Sequence, residues 1–313
     1  MIQKWKIKAL VQKTISILPF SEKLNYIFQK HVTGGIELTE EYWGYKITHA
    51  RDHINFYKSY DKNGLNGKTA LELGTGWYPI VPVCLFLSNI DKVISIDIKS
   101  WMTKSFQIKA IAKVVDSRKT GKLESYLTEI NEERWDILEG ILKKNKNLTR
   151  DEINRIICLE TVIKDARRTN LPDKSIDFIC SNNTFEHIRQ DILFDILKEF
   201  RRIIKDDGIM SHFIDMSDHF SHYDTSITNY NFLKYSENVW KLIDNSIQPQ
   251  NRLRFIDYKR MYEKLNIPVS MELITGSRSD QLRQIKISKQ YKNYTEDELV
   301  ISHGYIVSKM DGE

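Results

Sequence analysis

The sequence predicts an α/β fold, a parallel sheet with helices on both faces. Three observations predict it. Residues 69–98 read strand, glycine loop, helix, strand: Thr69–Leu73, then "GTG", then Ile80–Ser88, then "KVISIDI" at Lys92–Ile98. A βαβ unit of this kind joins parallel strands. Strand-like runs recur at Cys158–Ile163, Ile176–Ser181 and Gly208–Ile214, with a helical pattern at Leu193–Lys205 before the last. Finally, 313 residues, 41% hydrophobic and 28% charged, suit one α/β domain with helical additions and a sizeable core.

In chain order, Ile7, Leu10, Val11, Thr14, Ile15 and Leu18 fall on one helical stripe, with Pro19 ending the helix. The first thirty residues hold six lysines against Glu22 alone, which accounts for the whole formal net charge of +5. Two readings follow for residues 1–18: a helix packed on the domain, or a basic amphipathic helix resting on an anionic membrane. Lys8, Gln12 and Lys13 interrupt any signal-peptide core. Residues 36–60 read as a helix rich in Tyr and His, and "NGLNGK" (Asn63–Lys68) is a turn cluster. The expected division is a helical extension over 1–62 and a main domain over 63–313.

Residues 101–155 are mostly helical and too long for an ordinary crossover. They form either a lid or added thickness. "TRDE" (Thr149–Glu152) has capping-box spacing. Val269–Ile274 and Leu299–Val307 suit an antiparallel pair closing the sheet. The three cysteines are scattered, without metal-type spacing, and suit a reducing, cytoplasmic compartment. No run of about 20 apolar residues is present to span a bilayer. With the charge confined to the first thirty residues, no broad nucleic-acid face is expected.

"LELGTGWYP" (Leu71–Pro79) raises the central question. Two glycines after a strand let a ligand approach the backbone, and the next helix offers free N–H groups to an anion. Asp97, 21 residues beyond Gly76 at the end of the second strand, suits ribose hydroxyls. Nicotinamide enzymes and methyltransferases share these features. Glu72 separates them: a carboxylate two residues before Gly74 suits a cationic ligand better than a pyrophosphate. Pro79, at an expected first helical position, also departs from the dinucleotide pattern. Trp77 or Tyr78 either walls the pocket or simply packs.

"ELGTG", "SIDI", "KDARRTNLPDKSIDF", "SNNTFEHI" and "LKEFRRIIKDDGIMSHFID", in that order, resemble class I S-adenosylmethionine-dependent methyltransferases over residues 68 to about 218. The block at 101–155 stays outside the resemblance. "GTGWYPIVP", "SHFIDMSDHFSH" and the basic start are similar to methyltransferases of bacterial polysaccharide clusters. The resemblance implies a Rossmann-like sheet and S-adenosylmethionine as cofactor. Gly74 and Gly76 would shape the loop around its methionine part, with Glu72 near the ammonium. Asp97 would take the ribose, Asp165 and the Ala166 backbone the adenine, and Asn182 would lie beside the sulfonium.

Strand carboxyl ends line the ligand crevice in such sheets. "HFIDMSDHFSHYD" (His212–Asp224) therefore holds the expected acceptor chemistry. His219 is the expected base, with Asp215 or Asp218 orienting it and His187 as the second candidate. His212 is expected to be buried in the sheet. Glu186, His222, Arg252 and Arg254 are expected to bind the acceptor, the arginines through an anionic group. No metal ligands are assigned, and a divalent ion on the Asp/His set is the lesser alternative. The acceptor implied is a sugar, glycan or related hydroxyl. The alternatives are a nicotinamide-dependent oxidoreductase and a non-catalytic cofactor-binding scaffold.

Overall fold

A computed structural model describes residues 3–28 and 36–311 of the chain. Residues 29–35 of the expected extension, Lys30 among them, lie outside the described residues. The chain begins with helices α1 (Lys4–Ile17), α2 (Ser21–Phe28) and α3 (Glu40–Tyr60). Strand β1 (Thr69–Leu73), helix α4 (Ile80–Leu87) and strand β2 (Lys92–Asp97) form the expected βαβ unit. Helices α5 (Lys104–Lys119), α6 (Glu132–Lys144) and α7 (Arg150–Ile156) follow. Then come β3 (Leu159–Ile163), β4 (Ile176–Asn182), α8 (Gln190–Ile203) and β5 (Ile204–Asp215). The chain closes with α9 (Glu237–Ile243), α10 (Phe255–Lys264), β6 (Met271–Ser277), α11 (Ser279–Leu282), α12 (Glu296–Val300) and β7 (Ile301–Lys309).

The seven strands lie in the order β3-β2-β1-β4-β5-β7-β6. Strands β1 to β5 run parallel, and β7 is antiparallel to both neighbours. This is the Rossmann-like methyltransferase sheet that the resemblance implied, with the late antiparallel pair in place. The chain reverses between β1 and β4, so the crevice opens at the carboxyl ends of these central strands.

One face of the sheet carries α3, α4 and the 101–155 helices; the other carries α8 and α10. All eight residues of α4, "IVPVCLFL", are buried. A helix apolar all round needs cover on every side. Trp135, Leu138 and Ile141 of α6 and Ala110, Ile111 and Val114 of α5 join the same core. The block at 101–155 therefore thickens the domain. Thr149 and Glu152 close the expected capping box at α7. Pro79 sits one place earlier than expected, as the N-cap of α4.

Helix α1 is docked, but by the face opposite the predicted stripe. Trp5, Ala9 and Gln12 are buried. Trp5 packs on Phe220 and Tyr235, and its amide donates to Asp224 Oδ2 at 3.0 Å. Lys13 Nζ donates to the carbonyls of Lys241 and Asp244 at the end of α9. Most of the predicted stripe faces outward instead, with Ile7 52% and Leu10 68% exposed, while its Val11 and Ile15 are half-buried. The reason is geometric: Trp5 and Ala9 lie about half a turn away from Ile7, Leu10, Thr14 and Leu18.

Candidate active site

The glycine loop is shaped by its neighbours. Gly74 has φ +77° and Gly76 φ +71°, a region that favours glycine. A Cβ on Gly74 would also lie 2.5 Å from Thr184 Oγ1, so space as well as backbone requires glycine there. Glu72 is buried, and its carboxylate accepts the Thr75 hydroxyl, which also meets Ser95 Oγ at 2.6 Å. Burial pushes the Glu72 carboxyl up to about 7, and the Thr75 hydrogen bond opposes the rise. Glu72 thus braces the loop from below. Tyr78 does not wall a pocket: its ring packs on Phe106 and its hydroxyl donates to Ile36 O at 2.8 Å. Trp77 packs against Trp101 and Tyr26.

Asp97 ends β2 with Oδ1 accepting the Lys99 amide at 3.2 Å. Burial raises its pKa, while the amides of Lys99, Gly76 and Ile98 counter the rise. Asp165 follows β3, and Arg167 grips both its oxygens, holding its pKa below the usual range. Ala166 is buried beside it. Asn182 ends β4. His53 Nε2 donates to Asn182 Oδ1 at 2.8 Å, while Ser211 Oγ donates to His53 Nδ1 at 2.8 Å. Burial holds His53 down to about 4, so it is neutral near pH 7 and this pattern sets its tautomer. The Asn182 amide nitrogen is buried without a hydrogen bond.

The acceptor side gathers around Asp215, the last residue of β5. Its Oδ1 accepts the Ser217 amide at 2.8 Å and the Ser217 hydroxyl at 2.6 Å. His303 Nε2 lies 3.2 Å from Oδ1 and His219 Nε2 3.4 Å from Oδ2, with His222 Nε2 at 3.9 Å. His219 and then His303 hold this carboxyl well below its ordinary range, against its own burial. Glu186 and His187 lie in the turn after β4. His187 Nδ1 donates to Pro249 O at 2.7 Å, and its ring meets that of His219 at 4.9 Å. Desolvation, with the Asp215 charge second, pushes Glu186 well above the carboxylate range.

Three expected residues are placed elsewhere. Arg254 is fully buried and donates to the carbonyls of Met216, Leu299 and Ile301. Arg252 donates to Phe232 O and Tyr235 O, pairs with Glu237 at 2.6 Å and lies over Trp240. Both guanidiniums tie chain segments together, which removes them from the acceptor site. Asp218 is fully buried, accepting from the Phe220 amide and Asn231 Nδ2. Burial pushes it up to about 6, and it closes its own loop. The carboxylate beside His219 is Asp215. His212 is buried as expected, stacked on Phe185 and bonded to Ser181.

Sequence reading missed His303 and the face of α3. His303 enters because β7 pairs antiparallel with β5 in a register that sets it opposite Asp215. Nothing local in "ISHGY" signals that partner. On α3, Tyr45 accepts from Asn183 Nδ2 at 2.8 Å, and the Tyr305 hydroxyl bridges His49 and Asp52. The Lys46 charge on α3 opposes the raised pKa of both Glu72 and Glu186, in each case against burial as the larger cause. The spacing of Tyr45, Lys46, His49 and His53 in "YKITHARDH" is the signal that could have found this face.

Residues 119–211 match a family model described as a methyltransferase domain. The match contains Asp165, Ala166, Asn182, Glu186 and His187, and it enters the block expected to stay unmatched. The matched segment and the Rossmann-like sheet around this crevice together support methyl transfer from S-adenosylmethionine. The chain is an S-adenosylmethionine-dependent methyltransferase. No curated protein matches its sequence.

Some solved methyltransferases share part of this chain course. Geranyl diphosphate C-methyltransferase from Streptomyces coelicolor A3(2), with Mg2+, geranyl diphosphate and S-adenosyl-L-homocysteine, is 10% identical with a TM-score of 0.43. That likeness covers 85% of this methyltransferase and 79% of the other chain. A putative sarcosine dimethylglycine methyltransferase from Galdieria sulphuraria is 13% identical, TM-score 0.43, covering 83% and 86%. Phosphoethanolamine N-methyltransferase 2 from Haemonchus contortus is 11% identical, TM-score 0.44, covering 84% and 52%. No substrate carries across at such identities.

Proposed function

We propose that this methyltransferase methylates a hydroxyl of a sugar, glycan or related small polar molecule. The observation that carries the reading is the Asp215 cluster, one carboxylate with imidazoles of His219 and His303 at 3.4 and 3.2 Å. In the step, the acceptor oxygen forms a bond to the methyl carbon as the carbon–sulfur bond breaks. The bonding pair returns to sulfur, giving S-adenosylhomocysteine. The hydroxyl proton passes to an imidazole, and Asp215 stabilises the cation formed. Glu72, Gly74, Gly76, Asp97, Asp165, Ala166 and Asn182 remain the proposed cofactor contacts, and Glu186 and His222 the proposed acceptor contacts. A mouth of imidazoles and carboxylates suits a hydroxylated acceptor, and the resemblance to polysaccharide-cluster methyltransferases supports a glycan. Incubation with methyl-labelled cofactor and a panel of sugars, glycans, amines and carbon acids tests the reading. Label should appear as a methyl ether; label in amines or carbon acids alone would refute it.

The exposed stripe of α1 favours a second element, contact with an anionic membrane surface. Ile7, Leu10, Ile17 and Leu18, with Phe20 beyond the helix end, face outward, and exposed Lys4 and Lys6 flank them. Among the described residues no helix is long and apolar enough to cross a membrane. The methyltransferase should co-sediment with vesicles containing phosphatidylglycerol, and high salt should weaken binding. Leu10→Glu with Ile17→Glu should abolish it without lowering Tm, because both side chains are exposed. Equal sedimentation of the double variant would remove α1 from any such surface.

A further inference from the structure

We propose that Glu186, His187 and His219 form a binding site for a divalent transition-metal cation. The three side chains come from two separate turns, after β4 and after β5, yet their donor atoms all lie within 4.8 Å of one another. A cation with bonds of about 2.1 Å spaces its ligands by roughly 3 to 3.5 Å, so small side-chain shifts close the ring. Glu186 is 2% exposed, and neither carboxylate oxygen makes a hydrogen bond. A buried carboxylate without a donor is costly unless something positive completes it.

The two histidines are prepared for the same role. His187 gives its Nδ1 proton to Pro249 O, which leaves the Nε2 lone pair free. Fixing one ring nitrogen on a backbone carbonyl is how metal-binding histidines are commonly oriented. His219 Nε2 is buried 3.4 Å from Asp215 Oδ2, outside good hydrogen-bond geometry, and a small turn of its ring would present it to the cation instead. Two imidazoles and one carboxylate suit zinc, manganese, cobalt or iron(II) better than calcium or magnesium. Asp215 stays outside the ring, because Ser217 and His303 already occupy its Oδ1.

The proposal deepens the hydroxyl-methylating reading and rests on it for its chemical use. A bound cation would take the acceptor oxygen as a ligand and lower its pKa. His219 would then serve as a ligand, and the proton would pass to His303 on the other side of Asp215.

The test uses the full chain stripped with a chelator and titrated with Zn2+, Mn2+ and Co2+. Calorimetry should show one site per chain, and Co2+ should give visible absorption bands. Glu186→Gln, His187→Gln and His219→Gln should each weaken binding by more than about 100-fold, beyond the 10–100-fold typical of losing a supporting partner. S-adenosylhomocysteine affinity reports folding in each variant, so a misfolded one is recognised and the other two decide. No binding to the wild type below millimolar concentration would overturn the site, as would wild-type affinity in the folded variants. Full-rate hydroxyl methylation by metal-free enzyme would overturn the cation's part in the chemistry, leaving the proposed reaction standing. Metal binding without hydroxyl methylation would keep the site and refute the reaction.

Discussion

His219→Ala lowers turnover by about 10² to 10⁴, the span for losing a general base, with S-adenosylmethionine affinity unchanged within error. The expectation rests on position. His219 lies in the loop after β5, 3.4 Å from Asp215 and in ring contact with His187. The proposed cofactor contacts lie on β1 to β4 and their loops. The loss should therefore fall on the chemical step, read as kcat under saturating cofactor. Asp218→Asn is the comparison. Asp218 closes its own loop, so this change should leave kcat within a few-fold. Normal turnover by His219→Ala would exclude the residue from proton transfer and from metal binding, and His187 would become the first candidate for the base.

Asp97→Ala weakens cofactor binding by roughly 2 to 4 kcal/mol, or about 30- to 1000-fold, through loss of two charge-assisted hydrogen bonds to ribose. The fold should tolerate the change. Burial already disfavours the charged carboxylate, so alanine removes a desolvation cost along with the bonds to the Lys99, Gly76 and Ile98 amides. Calorimetry with S-adenosylhomocysteine is the direct measurement. A folded variant with wild-type affinity would show that Asp97 does not hold the cofactor.

The elements of the sheet were legible because each is written locally. "TALEL", "KVISID" and "IDFICSN" are apolar runs bounded by turn residues, and they recur as β1, β2 and β4. The glycines were legible for the same reason. What failed involved partners far along the chain. Arg252 and Arg254 read as exposed cations because sequence does not show the carbonyls of Met216, Leu299 and Ile301 converging on Arg254. Asp218 read as a partner of His219, yet Asn231 claims it. The apolar stripe of α1 was legible as a period, but not which face of the helix docks. The partners of Trp5, Phe220 and Tyr235, lie over 200 residues away, and burying Trp5 against them turns most of the stripe outward.

The position of β7 governs how this enzyme is made. The strand at 301–309 is inserted between β5 and β6, and it carries His303 to Asp215 and Tyr305 to His49 and Asp52. On a ribosome, α3 emerges some 250 residues before Tyr305. Until β7 arrives, β5 has one open edge, β6 has no neighbour, and the histidine face of α3 lacks its lock. Contacts so far apart close late and slowly. The nascent chain therefore passes through a stage with a sheet edge exposed and the acceptor side unbuilt, while β1 to β4 are already available to pair. Chaperone demand should concentrate in that interval, and chains released before residue 301 should aggregate rather than display a partial activity.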